Sequence, residues 1–184
     1  PTTHTPHRST VSSPAPTLAS RTLVENARYE LIPLKSVDRA IEALPPASSV
    51  SVTCSPAKGI DTTLQLAERI AGLGHHTVPH ISARLVEGRA HAERIAAWTK
   101  RNNIDEIFLV AGDAEEPAGP YQGAVAFLQD FLECESGVRH IGVTSYPDGH
   151  PLIDAAVCQE ALIAKQELLR EAGVETHATT QMCF

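Results

Sequence analysis

The chain has 184 residues, of which 42% are hydrophobic and 20% are charged, as expected for one globular domain with a sizeable core. Its net charge of -7 argues against nucleic acid or an anionic membrane as the main partner, because both attract basic surfaces. No apolar run approaches the roughly 20 residues that span a bilayer. The four scattered cysteines form neither a zinc motif nor a disulfide framework, so a reducing cytoplasm is the expected location.

Residues 1–25 differ in composition from the rest of the chain. From Pro1 to Val24 there is no acidic residue, and Ser, Thr, Pro, His and Arg predominate. Such a segment buries too little apolar surface to offset the entropy lost on ordering. We therefore predict a disordered leader over residues 1–25 and a folded domain over residues 26–184. An organelle transit peptide is the alternative, but the segment lacks the amphipathic Arg face typical of one.

Strand-like and helix-like segments alternate along the rest of the chain. The predicted strands are residues 29–33, 50–53, 77–80, 107–113, 141–146 and 178–181. A short helix over residues 37–44, capped by Ser36, follows the first strand, and a second helix capped by Asp61 or Thr62 is closed by Gly74. Three more helices are predicted over residues 90–102, 122–133 and 152–172. This alternation favours a parallel sheet, because each crossover returns the chain to the same end of the sheet.

Two architectures fit a parallel sheet of this kind: an open doubly wound sheet and a (β/α)8 barrel. No Gly-x-Gly-x-x-Gly follows the first strand, so the phosphate loop of a dinucleotide-binding fold is missing. Polar residues at every strand end suit a barrel better, because the loops there converge on one rim. The chain supplies about six strands, whereas such a barrel typically needs about 250 residues. The prediction is therefore a (β/α)8 TIM barrel that is incomplete as given.

Two carboxylates stand out at strand ends. Glu30 interrupts the otherwise apolar first strand, and a carboxyl group desolvated in such a place suits general-acid chemistry near neutral pH. An outward-facing side chain on an edge strand is the alternative for Glu30. Asp113 follows an apolar strand and Gly112, where the missing side chain would let a ligand approach closely. The alternative for Asp113 is a cap of the turn through residues 114–117.

The other polar candidates are weaker. His80 alone is better explained as a core imidazole, and the strand-like segment between His76 and His80, with no carboxylate alongside, predicts no metal site. Residues 146–151 predict a rigid turn that presents Tyr146 and His150 together for ring stacking, or a plain Pro-Asp-Gly turn. Gln181 offers both a donor and an acceptor, which suits the amide edge of a pteridine or nicotinamide.

Taken in order, these segments resemble the methylenetetrahydrofolate reductase family. The matching stretches are residues 29–33 (YELIP), 50–53 (VSVT), 79–83 (PHISA), 111–113 (AGD), 146–151 (YPDGHP), 171–173 (EAG) and 180–184 (TQMCF). The likeness covers about residues 28–184, which correspond to the first six strands of the family's eight-stranded barrel.

The resemblance implies reduction of 5,10-methylenetetrahydrofolate to 5-methyltetrahydrofolate, a step of one-carbon metabolism that feeds methionine synthesis. Glu30 matches the family's general acid, and Asp113 matches the carboxylate near the pterin and the hydride donor. Gln181 matches a glutamine that contacts the folate. The positions that line the flavin in typical members are matched by Thr53, His80, Tyr121, Tyr146 and His150.

The cofactor expectation follows from two departures from the family pattern. Typical members use FAD and have Arg before the Gly-Asp pair, where this chain has Ala111. Their long fifth helix presents charged groups to the flavin, whereas residues 162–169 read Leu-Ile-Ala-Lys-Gln-Glu-Leu-Leu. Each charge-assisted hydrogen bond lost in this way costs roughly 1.5–3 kcal/mol. We therefore expect a flavin-free variant in which NADH or NADPH delivers hydride directly to the folate.

Two other functions stay open. One is a tetrahydrofolate-dependent demethylase on the same scaffold, which would use the same carboxylates without oxidising NADH. The other is an incomplete barrel that acts only as a binding module. Six strands leave sheet edges unpaired, so a chain of this extent by itself is expected to form homo-oligomers or to be inactive.

Overall fold

The structure, a computed structural model, describes residues 26–180, so the predicted leader and Gln181 lie outside the described residues. Six parallel strands form one sheet in which spatial order follows chain order. The sheet curls into a half-barrel, which confirms the α/β prediction with about six parallel strands. The strands are β1 (Arg28–Leu31), β2 (Ser49–Val52), β3 (His76–Ser82), β4 (Glu106–Val110), β5 (His140–Ser145) and β6 (Glu175–Thr180).

Five helices connect the strands, in the predicted places but with shifted ends. They are α1 (Val37–Glu42), α2 (Gly59–Gly72), α3 (Arg89–Arg101), α4 (Ala124–Leu132) and α5 (Ala155–Glu171), with a 3-10 turn at Ala83–Leu85. The predicted cap of α2 is wrong: Lys58 occupies that position, and the Thr62 hydroxyl donates back to its carbonyl at 2.7 Å. Helix α5 begins later than predicted because Asp154 caps it, accepting from the Ala156 N–H. Gly74 and Gly173 follow their helices with positive φ, as predicted.

The apolar core lies between one face of the sheet and the helices. Alternate strand residues such as Val50, Ile107 and Val143 are fully buried there. Ile95 and Trp98 of α3 are buried, as predicted from the helical spacing of apolar residues. In α4 the buried side chains include Phe127, Leu128 and Phe131, whereas Val125 is only half-buried.

The opposite, concave face of the sheet is polar. Arg28 on β1 donates two hydrogen bonds to the Glu106 carboxylate on β4, at 2.7 and 2.8 Å. Strands β1 and β4 are separated by two others, so in a flat sheet they would lie roughly 14 Å apart. A direct contact between their side chains therefore requires the curl. The same curl brings polar groups of all six strands toward a common axis.

The edges of the half-barrel are open in the part of the chain that the structure describes. Strands β1 and β6 each pair with one neighbour over residues 26–180, and most residues of β6 are exposed. Among the same residues, no helix combines the length and apolar character required to cross a membrane.

Candidate functional site

A cavity of about 430 Å³ lies on the concave face at the carboxyl ends of the strands. Every strand contributes to its lining, either by its own residues or by the residue that follows. One lining residue for each strand in turn is Glu30, Thr53, His80, Phe108, Thr144 and Thr179, and Asp113 and Tyr146 join from the loops after β4 and β5. The structure thus brings together five of the residues singled out in the sequence: Glu30, Thr53, His80, Asp113 and Tyr146.

Glu30 lies on the rim of this cavity rather than in a dry pocket. Its side chain is 58% exposed, and its carboxylate Oε2 lies 3.8 Å from Nε2 of His80. The expectation of a desolvated carboxyl is therefore wrong. The physical reason is the position of β1 at the edge of the described sheet, where one side of Glu30 has no neighbouring strand.

His80 is the buried partner in this pair. Its side chain is 15% exposed, and its ring packs against Phe108 with centroids 4.8 Å apart. Burial, and then the positive charge of Arg28, lower the pKa of His80 from 6.5 to about 4. Near neutral pH the His80 imidazole is therefore neutral, so its contact with Glu30 is not an ion pair.

The shifted His80 makes stability depend on pH. The unfolded chain takes up a proton near pH 6.5, whereas folded His80 does so only near pH 4, so the unfolded state binds more protons in this window. The free energy of unfolding should therefore fall as the pH drops through the window, with a contribution from His80 of roughly 3 kcal/mol. His91 and His177 have pKa values lowered in the same direction and add to the slope.

Urea unfolding at several pH values between 6.5 and 4 measures this effect. We expect the decrease to be smaller in His80→Gln than in the parent protein, whatever the absolute stability of the variant. An unchanged dependence on pH in His80→Gln would show that the imidazole is not held neutral by the fold.

Asp113 lies in an exposed loop that is held by Arg84. The Arg84 guanidinium donates to the carbonyl oxygens of Ala114, Glu115 and Gln122 at 2.8 to 3.0 Å. Arg84 follows β3 and has no local signal that would predict this role. Asp113 therefore lies in a loop that Arg84 holds in place, and it lines the cavity.

Gly112 lines the cavity and also meets a steric requirement that was not predicted. Its φ is +95°, and a Cβ at this position would lie 1.7 Å from Oγ and 3.0 Å from Cβ of Ser82. The position that a side chain would take is thus occupied by the buried Ser82. Both the close approach and the left-handed backbone require glycine here.

Two predicted residues do not line the cavity. Tyr121 is 3% exposed, packs edge-on against Phe127 and donates a hydrogen bond to Asp130. Burial and the Asp130 carboxylate raise the pKa of Tyr121 to about 12. His150 does not line the cavity itself, but its ring packs on Tyr146, which does, with centroids 4.9 Å apart.

Sequence reasoning missed Lys165. Its side chain is buried, and its ammonium donates to the carbonyl of Thr144, a cavity residue, at 3.1 Å. Burial lowers the pKa of Lys165. A signal was present: Lys165 shares the helical i, i+3, i+7 face of Leu162 and Leu169, a spacing that directs it to the core.

Cys54 also lines the cavity and was not singled out in the sequence. Burial raises the pKa of its thiol, so a reactive thiolate is not favoured at neutral pH. The carboxyl and imidazole groups among the lining residues are those of Glu30, Asp113 and His80.

A scan of the chain against models of known protein families finds no match.

Proposed function

We propose that the cavity at the carboxyl ends of the strands binds a reduced folate and is the site where 5,10-methylenetetrahydrofolate is reduced to 5-methyltetrahydrofolate. The observation that carries this proposal is the convergence of Glu30, His80 and Asp113 on one cavity at the rim of a parallel sheet. In barrel enzymes this rim is where catalytic residues from different strands meet. The proposal includes a complete (β/α)8 barrel in the full-length protein.

The two carboxylates have different roles in this proposal. The Glu30 carboxyl donates its proton to a nitrogen of the methylene bridge, the carbon–nitrogen bond breaks, and the one-carbon unit becomes an iminium that accepts hydride. Asp113 stabilises the positive charge that develops on the substrate. A pterin ring over the cavity would also displace water from the exposed Glu30, which favours the protonated acid. Gln181, outside the described residues, is the proposed partner of the pterin edge.

NADH or NADPH is the proposed hydride donor, and FAD is not proposed as a cofactor. Ala111 lines the cavity where typical family members have a basic residue. In α5, Lys165 is buried against the Thr144 carbonyl and Arg170 lies 3.5 Å from Glu171 in the last turn. Among the described residues of α5, no basic group is therefore directed at the cavity to hold a flavin diphosphate.

The deciding experiment supplies the purified full-length protein with NADH or NADPH and methylenetetrahydrofolate. We expect the nicotinamide absorbance to fall only when the folate is present, with 5-methyltetrahydrofolate as product. Loss of a methyl group from a folate or another donor without nicotinamide oxidation would favour the demethylase. Folate binding without either reaction would favour the binding module, and a yellow protein with stoichiometric flavin would overturn the flavin-free proposal.

A further inference from the structure

A second polar cluster lies on the concave face, at the amino-terminal ends of the strands. It consists of Glu106 on β4, His140 on β5 and His177 on β6. One ligand atom from each side chain, a carboxylate oxygen and two ring nitrogens, lies within 4.8 Å of the other two. Glu106 is buried, and the two histidines are half-buried. The cluster is at the opposite end of the strands from the cavity that holds Glu30.

The register of the sheet places these three side chains on one face. Glu106 pairs directly with His140, and Phe108 pairs with Gly142, which pairs in turn with His177. A Cβ on Gly142 would lie 2.5 Å from the Phe108 ring and 2.7 Å from the His177 ring. The glycine therefore lets the His177 ring cross the face of β5 and reach His140. A side chain at that position would separate the two imidazoles.

The two imidazoles already have the spacing of ligands on one metal ion. Nδ1 of His177 lies 3.0 Å from Nε2 of His140, so one nitrogen donates and the other accepts. Zinc–nitrogen distances of about 2.0–2.1 Å put neighbouring ligand nitrogens roughly 3.3 Å apart in a tetrahedral site. Because these two nitrogens now bond to each other, the rings must rotate out of that hydrogen bond to face one ion. A carboxylate with two histidines is a common donor set for Zn²⁺.

Arg28 is the competitor for this site. Its guanidinium holds both oxygens of Glu106, and its own side chain is 33% exposed. Because part of the Arg28 side chain is already hydrated, the guanidinium can move into solvent when a dication takes its place beside Glu106. His76, with Nε2 3.6 Å from Glu106 Oε2, is a candidate fourth ligand that the sequence, showing no carboxylate beside it, did not predict.

We propose that Glu106, His140 and His177 form a binding site for a transition-metal dication of the Zn²⁺ type. The ion would link β4, β5 and β6 across the concave face, away from the proposed folate cavity. The residues that line the opening beside the cluster include Asp105, Glu175 and Arg139. Asp105 is paired with Arg139 at 2.7 Å, so Glu175 is the carboxylate there that would offset part of the added charge. Binding of the ion and release of Arg28 from Glu106 are then linked events.

The test is a Zn²⁺ titration of the full-length protein by calorimetry, with Co²⁺ absorption as a probe of histidine ligation. We expect one site that is lost in His177→Ala, a weakening of at least about 100-fold, because even outer hydrogen-bond partners of metal ligands are worth about 10–100-fold. His140→Gln is the second removal should His177→Ala fold poorly. His150→Ala, the same substitution at the other end of the sheet, should bind as the parent does.

Arg28→Ala distinguishes a metal site from a cluster with only a structural role, because only a metal site predicts that Zn²⁺ binds more tightly to this variant. Removing the competing guanidinium should tighten Zn²⁺ binding by about tenfold or more, which corresponds to about 1.4 kcal/mol of binding free energy. Zn²⁺ should also raise the melting temperature of this variant more than that of the parent. The proposal is overturned by equal binding in the parent and His177→Ala, which would assign the metal to other histidines, or by weaker binding in Arg28→Ala.

Discussion

Glu30→Gln is expected to reduce turnover of methylenetetrahydrofolate by about 100-fold or more while leaving folate affinity nearly unchanged. Glutamine keeps the size and polarity of the side chain but has no acidic proton to give, and general acids typically contribute about 10²–10⁴-fold. Glu30 is 58% exposed, and its contact with His80, at 3.8 Å, is longer than a hydrogen bond, so stability should change little. The effect should therefore appear in kcat rather than in the dissociation constant of the folate.

Steady-state rates of NADH oxidation, measured beside equilibrium binding of the folate, separate these two quantities. Glu42→Gln is the matched control, because it makes the same chemical change at an exposed residue in the last turn of α1, outside the cavity. A rate for Glu30→Gln close to that of Glu42→Gln would remove Glu30 from the mechanism. The same rate and binding measurements on Asp113→Asn would then test the other carboxylate of the cavity.

Arg28→Ala is expected to lower the free energy of unfolding by about 2–3 kcal/mol in the absence of added metal. Glu106 is 6% exposed, so the substitution leaves a buried carboxylate without its counter-charge. Breaking a fully buried pair in this way costs about 3–5 kcal/mol. The expected value is smaller because one third of the Arg28 side chain is exposed and water already screens part of the interaction.

Urea unfolding of Arg28→Ala beside Arg139→Ala measures the effect of burial directly. Arg139 and Asp105 form an ion pair of the same length, 2.7 Å, but their side chains are 80% and 41% exposed. Removing that pair should cost less than about 1 kcal/mol. Replacing both members of the buried pair, Arg28→Met with Glu106→Met, should recover much of the loss. Equal destabilisation by Arg28→Ala and Arg139→Ala would contradict this interpretation of the buried pair.

The elements of the fold were largely predictable because their signals are local. Apolar runs that end in polar residues identified the six strands, although the sixth begins at Glu175 rather than at residue 178. Helical spacing identified the buried Ile95 and Trp98. The error at the start of α2 is also local in origin. Thr62 has the chemistry of a cap, but in the helix its hydroxyl donates back to the Lys58 carbonyl instead.

The candidate cavity was predictable only in outline. The carboxyl ends of parallel strands meet at one rim whatever the sequence, so Glu30 and Asp113 could be assigned to one site in advance. His80 was expected from the residues alone to be a core imidazole, and only the family resemblance assigned it to the site. The burial and the contacts of each side chain could not be predicted from the sequence. Glu30 is exposed because β1 lies at the edge of the described sheet. Tyr121 does not line the cavity, and its hydroxyl donates a hydrogen bond to Asp130 instead.

Local sequence patterns were enough to predict the alternation of strands and helices, the parallel arrangement of the strands and the residues available at the rim of the sheet. Which side chains meet across the concave face depends on the tertiary structure. Arg28 and Glu106 are 78 residues apart in the chain, and His140 and His177 are 37 apart. Periodicity reports only which face of its own element a residue occupies. The distance between two faces depends on the curl of the whole sheet, which is set by the packing of all its strands and helices together.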